Sequence, residues 1–175
     1  LLYFIEKHAP LLEPWQRDQY LVVLTVALAQ EMGELVSEGI IEAYGIANSN
    51  ADAIVRICGT VESHGLMPPS VAQMRFNLAE TAQGEAPALK SLCASSGLML
   101  AATMPLAGGL LTGKDLVDNG EPRRWSDDFV AARASEAKAL SVSLLALARE
   151  IDVPTSELAI AYPLAQAHVG TVVFG

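Results

Sequence analysis

Two periodicities of apolar and polar positions alternate along this chain. Short apolar runs at Ile40–Ile46, Ser70–Met74, Leu98–Ala102 and Thr171–Phe174 read as strands. The gaps between them carry helical spacing. From Asp18 to Glu38, residues Leu21, Leu24, Leu28, Met32 and Leu35 fall on one helix face, and Gly39 predicts the stop. A second helix is predicted from Asn50, a favourable N-cap, to near Gly65, and a third before Gly97. Ala132–Glu150 is a strong helix former, and a last helix follows Thr155, with Pro163 expected to kink it. Strand and helix alternating at about 30-residue spacing argue for an α/β fold of parallel βαβ units, which place ligands at the C-terminal strand ends.

One stretch departs from this rhythm. Residues 103–131 are irregular, a length that usually signals a functional or disordered segment. It opens with LMLAATMPLAGGLLTGK at Leu98–Lys114, a buried-strand pattern that runs into a proline and a glycine pair. Pro105 cannot donate to a strand ladder, and Gly108 and Gly109 admit backbone conformations closed to other residues. Successive N–H groups in such a loop form an anion-binding concavity, with the Thr112 hydroxyl and the Lys114 ammonium beside it. A phosphate is the expected ligand. Gly108–Lys114 also satisfies the spacing of a P-loop, but Asp115 stands where a hydroxyl should hold magnesium. Asn119, Gly120 and Pro122 interrupt the long helix that a P-loop opens, so this reading is the lesser one.

PLAGGLLTGK at Pro105–Lys114 resembles the loop after the seventh strand of aldo-keto reductases, in particular the aflatoxin aldehyde reductase-like branch. Three further segments resemble the family in its order: SEGIIEAYGIANSN at Ser37–Asn50, PPSVAQMRFN at Pro68–Asn77 and SELAIAYPLAQAHVGTVVFG at Ser156–Gly175. The resemblance covers about residues 30–175 and implies a partial (β/α)8 TIM-type barrel, from about strand 4 or 5 to strand 8. It also implies NADPH as cofactor, with Met104, Leu106, Ala107, Gly108, Gly109, Leu110, Thr112 and Lys114 along the pyrophosphate. Asn48 and Gln73 would meet the nicotinamide carboxamide, and Arg123 and Arg124 fall near an arginine that clamps the adenosine phosphate. The implied activity is reduction of a small-molecule carbonyl to an alcohol.

Several positions depart from the family pattern. Ala47 and Ala72 replace a serine and an asparagine, Thr103 replaces a stacking aromatic, Met104 a polar phosphate contact and Phe174 a proline. Loss of the stacking ring should weaken cofactor binding. The family's tyrosine acid, with its lysine and aspartate, belongs to a segment that the resemblance places ahead of Leu1. The chain is therefore expected to be a fragment that is inactive alone. Residues 1–20 match poorly and form a separate N-terminal segment; residues 4–19 weakly resemble stage V sporulation protein R. LLYF could be a fourth strand, and His8 is a low-ranking candidate for the family's carbonyl-orienting histidine. His64 and His168 read as helix-end residues favoured by the dipole.

Bulk properties narrow the choice further. At 175 residues the chain suggests one domain, shorter than the roughly 250 of a complete barrel. It is 51% hydrophobic and 18% charged, against roughly 25% charged in ordinary domains, as expected of a piece with much interior. A net charge of −9 argues against a nucleic-acid partner. The longest apolar run, Tyr20–Ala29, is too short to span a bilayer, and no signal-peptide pattern opens the chain. Cys58 and Cys93 sit in predicted helices without metal-ligand spacing, so reduced thiols in a cytoplasmic protein are expected, with no metal site. Plainer readings of the candidate residues also stand. Asn48 could cap a helix, Gln73 could satisfy a backbone group, and the glycine pair could serve only a turn. The alternative function is a non-catalytic barrel fragment, binding nothing or acting as an interaction module through exposed barrel edges.

Overall fold

The computed structural model describes residues 13–113 and 127–174. The chain divides into two compact units, Leu1–Gln73 with Pro87–Met99, and Met74–Ala86 with Leu100–Gly175. Parallel strand pairs covered by helices make it an α/β fold.

In the first unit the described elements are α1 (Pro14–Ser37), β1 (Gly45–Ala47), α2 (Ala51–Ser63), the start of β2 (Val71–Arg75) and α3 (Pro87–Ser96). β1 pairs in parallel with β2, with Gly45 opposite Val71, Ile46 opposite Ala72 and Ala47 opposite Gln73. The Met99 N–H donates to the Ser70 carbonyl at 3.1 Å, which sets the start of β3 (Met99–Thr103) beside the start of β2. α2 follows from its sequence: the Asn50 side chain accepts the Ala53 N–H at 2.8 Å, satisfying one orphan donor of the first turn. Ala51, Ile54, Cys58 and Val61 then recur at helical spacing and are the residues that α2 buries.

Two sequence expectations are corrected in this unit. Of the apolar run Ile40–Ile46 only its end enters a strand. Gly39 adopts φ 72°, and the N–H groups of Ile40 and Ile41 turn back to the Leu35 carbonyl at 3.0 and 3.4 Å. These isoleucines finish the helix cap rather than start the strand, and Ile40 is left 64% exposed. In α1 the residues buried most deeply are Thr25 and Ala29, small side chains, whereas Leu28 is 44% exposed. Asp18–Ser37 is long and apolar enough to cross a membrane, by length and composition only, at a mean hydropathy of 1.3.

The second unit contains the end of β2, most of β3, a 3-10 helix at Ala107–Thr112, α4 (Asp127–Glu150), α5 (Thr155–Leu164) and β4 (Val169–Val173). β4 pairs in parallel with β3, from Leu100 opposite Val169 to Thr103 opposite Val173, with an irregularity between Leu100 and Ala101. The Phe76 N–H donates to the Thr103 carbonyl at 3.3 Å, so β2 and β3 also adjoin at this end. Leu100, Ala102, Leu111 and Ala159 are fully buried. Pro163 lies in the last turn of α5, where the helix is about to stop.

His168 is a correction of a different kind. It is buried rather than held at a helix end, and its Nε2 lies 2.8 Å from the Gly84 carbonyl. Its ring is tilted on that of Phe76, with centroids 6.1 Å apart, and Tyr162 meets Phe76 edge-on at 5.7 Å. Gly84 is required beneath this aromatic group, because a Cβ there would fall 2.3 Å from the Phe76 ring.

Cys58 and Cys93 are free and buried, as expected of reduced core thiols. Burial pushes the Cys58 thiol up to about 11, with Cys93 and Glu62 adding to the effect, and raises Cys93 as well. A thiol whose folded pKa is raised contributes stability that is complete below its ordinary pKa and lost as pH climbs towards the folded value. Folded chain should therefore react slowly with thiol reagents at neutral pH, and its stability should fall from about pH 9 towards pH 11. Reagent kinetics in native buffer and in denaturant, with denaturant midpoints across that range, check this. Gly84→Ala should destabilise by about 1–3 kcal/mol through overpacking. Urea unfolding of the variant measures it.

Candidate functional site

The second unit carries the more elaborate arrangement. β3 ends at Thr103, and the next residue, Met104, takes a left-handed conformation at φ 61°. For a residue with a Cβ this costs roughly 1–2 kcal/mol, and such strain is typical of functional positions. Pro105 is fully buried and ends the pairing, as its missing N–H requires. Leu106 is near φ −92°, and then Ala107, Gly108 and Gly109 are all left-handed, at φ 47°, 69° and 100°. A right-handed residue followed by a left-handed one is the backbone pattern of an anion-binding nest, here with the Ala107 and Gly109 N–H groups turned back to the loop's own carbonyls.

The loop is held from below. Leu111 is fully buried in a cluster with Leu144 and Ala159, against which Leu106, Ala107 and Leu78 pack. Hydroxyls from two helices take its carbonyls: Ser141 donates to Leu110, and Thr155 donates to Thr112 at 2.9 Å. Inside the loop, the Ala107 N–H donates to the Met104 carbonyl at 2.8 Å and the Gly109 N–H to that of Leu106 at 2.9 Å. The Thr112 hydroxyl donates to the Gly109 carbonyl at 2.7 Å, so its proton points into the loop's own backbone. Gly113, at φ 75°, ends the 3-10 helix, and the described chain resumes at Asp127 in α4.

One side chain central to this geometry escapes sequence reading. Asn77 is fully buried just after β2, and its Nδ2 donates to the Met104 carbonyl at 2.9 Å and to Glu80 Oε2 at 3.3 Å. Its Oδ1 accepts the Ala79 N–H at 2.9 Å. In sequence it is a single Asn after a strand, indistinguishable from a turn residue; only the burial marks it. Thr103 is similarly committed, with its hydroxyl donating to the Met74 carbonyl at 3.1 Å.

In the first unit Asn48 follows the last residue of β1 and is left-handed, at φ 55°. Its N–H donates to the Gln73 carbonyl at 3.0 Å, so the two predicted carboxamide residues are adjacent. Gln73 is half-buried in the middle of β2, level with the end of β1. The helix-capping role falls to Asn50, which leaves the Asn48 side chain outside that duty. Lys114, Arg123, Arg124 and His8 lie outside the described residues.

Neither tyrosine packed into these units is set up as a proton donor to a ligand. Tyr162 donates to Glu85 Oε1 at 2.6 Å, and burial together with that carboxylate pushes it up to about 12. Tyr44 donates to the Met67 carbonyl, and burial raises its pKa too. Among the described residues, no group of three or more His, Cys, Asp or Glu could hold a metal ion.

Comparison with known proteins bears on the fold and the family. The chloroplastic pyridoxal reductase of Arabidopsis thaliana is 28% identical over 100 residues, which are 57% of this chain and 27% of that protein. The glycerol dehydrogenase of Gluconobacter oxydans superposes with a TM-score of 0.63 at 21% identity, over 82% of this chain and 43% of that one, a likeness of fold. The chain thus spans less than half the length of either. The sequence pattern of the Aldo/keto reductase family matches residues 10–175, and the chain belongs to that family.

Proposed function

We propose that this chain is the cofactor-binding half of an NADPH-dependent aldo-keto reductase that reduces small carbonyl compounds, of the aflatoxin aldehyde reductase-like branch. The observation that carries the reading is the left-handed run Ala107–Gly109 at the end of β3, anchored by fully buried Leu111. Such a loop suits a pyrophosphate, and Asn48 and Gln73, in the first unit, are the residues that the family resemblance assigns to the carboxamide. When bound, the reduced nicotinamide supplies the hydride. The chain's own residues bind and orient: backbone N–H groups meet phosphate oxygens, and Lys114, Arg123 and Arg124 add charge.

Thr103 offers no ring for stacking, and its hydroxyl is engaged with Met74, so phosphate contacts should dominate the affinity. Charge-based contacts weaken with salt. Tyr44 and Tyr162 are hydrogen-bonded within the fold with raised pKa values, which supports reading the isolated chain as inactive. A positioned acid typically contributes about 10² to 10⁴-fold to such a reaction. The second reading, an interaction module without catalysis, draws support from the apolar exposure of α1, where Trp15, Val23 and Leu28 are uncovered.

NADPH titration by fluorescence or calorimetry should give weak binding that loses affinity at high salt. Lys114→Ala combined with Arg123→Ala and Arg124→Ala should weaken it by at least about tenfold, or 1.4 kcal/mol. Tight, salt-insensitive binding that survives this triple change is the result that contradicts the reading. NADPH oxidation with pyridoxal and a panel of aldehydes should show no turnover by the isolated chain. Turnover abolished by Tyr44→Phe would place the acid in a residue argued here to be structural.

A further inference from the structure

We propose that Asn77 is a positioning residue: it fixes the Met104 carbonyl and through it the conformation of the Met104–Gly113 loop and the loop's affinity for a pyrophosphate. The last part rests on the cofactor reading above; the first does not. Asn77 is fully buried and touches no solvent, so it cannot meet a ligand itself. Its amide is wholly directed inward. Nδ2 reaches the Met104 carbonyl and Glu80, and Oδ1 is held by the Ala79 N–H, which fixes which way the amide faces.

The carbonyl it holds is the one that matters for the loop. Met104 is the first left-handed residue after β3, and its carbonyl also accepts the Ala107 N–H at 2.8 Å. Ala107 in turn begins the left-handed run with Gly108 and Gly109. Two hydrogen bonds sharing one acceptor therefore connect a buried side chain to the nest. Met104 carries a Cβ that disfavours this conformation, so something outside the residue must hold it there. Pro105, following directly, biases Met104 towards extended backbone and adds to the need.

The test uses N77S and N77D in the 175-residue chain, each alone and combined with M104G. Three quantities are read: NADPH affinity, thermal midpoint, and backbone amide shifts with hydrogen exchange over Ala107–Leu111 without cofactor. Asn77→Ser removes the amide bridge with a small, uncharged side chain and serves if N77D fails to fold. The single variants should shift the Ala107–Leu111 amides and weaken NADPH binding by about tenfold. M104G should restore affinity in the N77S background to within about threefold, because glycine takes the left-handed conformation unaided. A residue that only fills the core would lower the thermal midpoint without rescue by M104G. Loop amides that stay in place, or affinity that glycine does not recover, overturns the proposal. Should the unaltered chain fail to bind NADPH, the cofactor reading falls, while amide shifts confined to the loop still support the positioning role.

Discussion

Burial of Leu111 between Leu144 and Ala159 turns a glycine-rich segment into a fixed object. Glycine loses more conformational freedom on ordering than any other residue, so a loop with Gly108, Gly109 and Gly113 has no local reason to hold one shape. A fully buried leucine side chain contributes about 1.5–3 kcal/mol, enough to offset the ordering of one or two residues. Ser141 and Thr155 then take two successive stretches of the loop's backbone through Leu110 and Thr112. The helices that carry those hydroxyls, α4 and α5, thus act on the loop as directly as the strand that precedes it.

The sequence resolved those features that depend on local chemistry. Asn50, Gly65 and Gly97 mark helix boundaries because capping and left-handed termination are decided within a few residues. Strands of a parallel sheet are legible as apolar runs, and the centres of β2, β3 and β4 fall within a residue or two of them. Where the reading failed, the deciding partner was distant or the apolar residue had another use. Ile40 and Ile41 have strand-like side chains, yet their N–H groups are claimed by Leu35. His168 was read as a helix-end residue because nothing in its neighbours announces Phe76 and Gly84, more than eighty positions away in sequence.

The candidate site divides along the same line. Pro105–Lys114 was legible because its chemistry is contiguous: proline, paired glycines and a lysine within ten positions. Asn48 and Gln73 required the family's order, since a lone Asn or Gln after a strand carries no signal. Asn77 could not be found that way at all. Its importance lies in reaching Met104, 27 residues on, from a fully buried position, and neither fact is written in its immediate sequence.

Backbone conformation and side-chain identity have parted in this chain. Ala47, Ala72 and Thr103 carry side chains unlike those of the family pattern, yet Asn48 is left-handed, and Met104 and Ala107 adopt that conformation against their preference. An N–H group can hold a phosphate whatever the side chain beside it, so recognition built into backbone survives such substitutions. The same property makes it undiscriminating: a nest meets any pyrophosphate and says nothing of the group attached beyond. Family membership and a phosphate-shaped loop therefore constrain the cofactor class more tightly than the substrate.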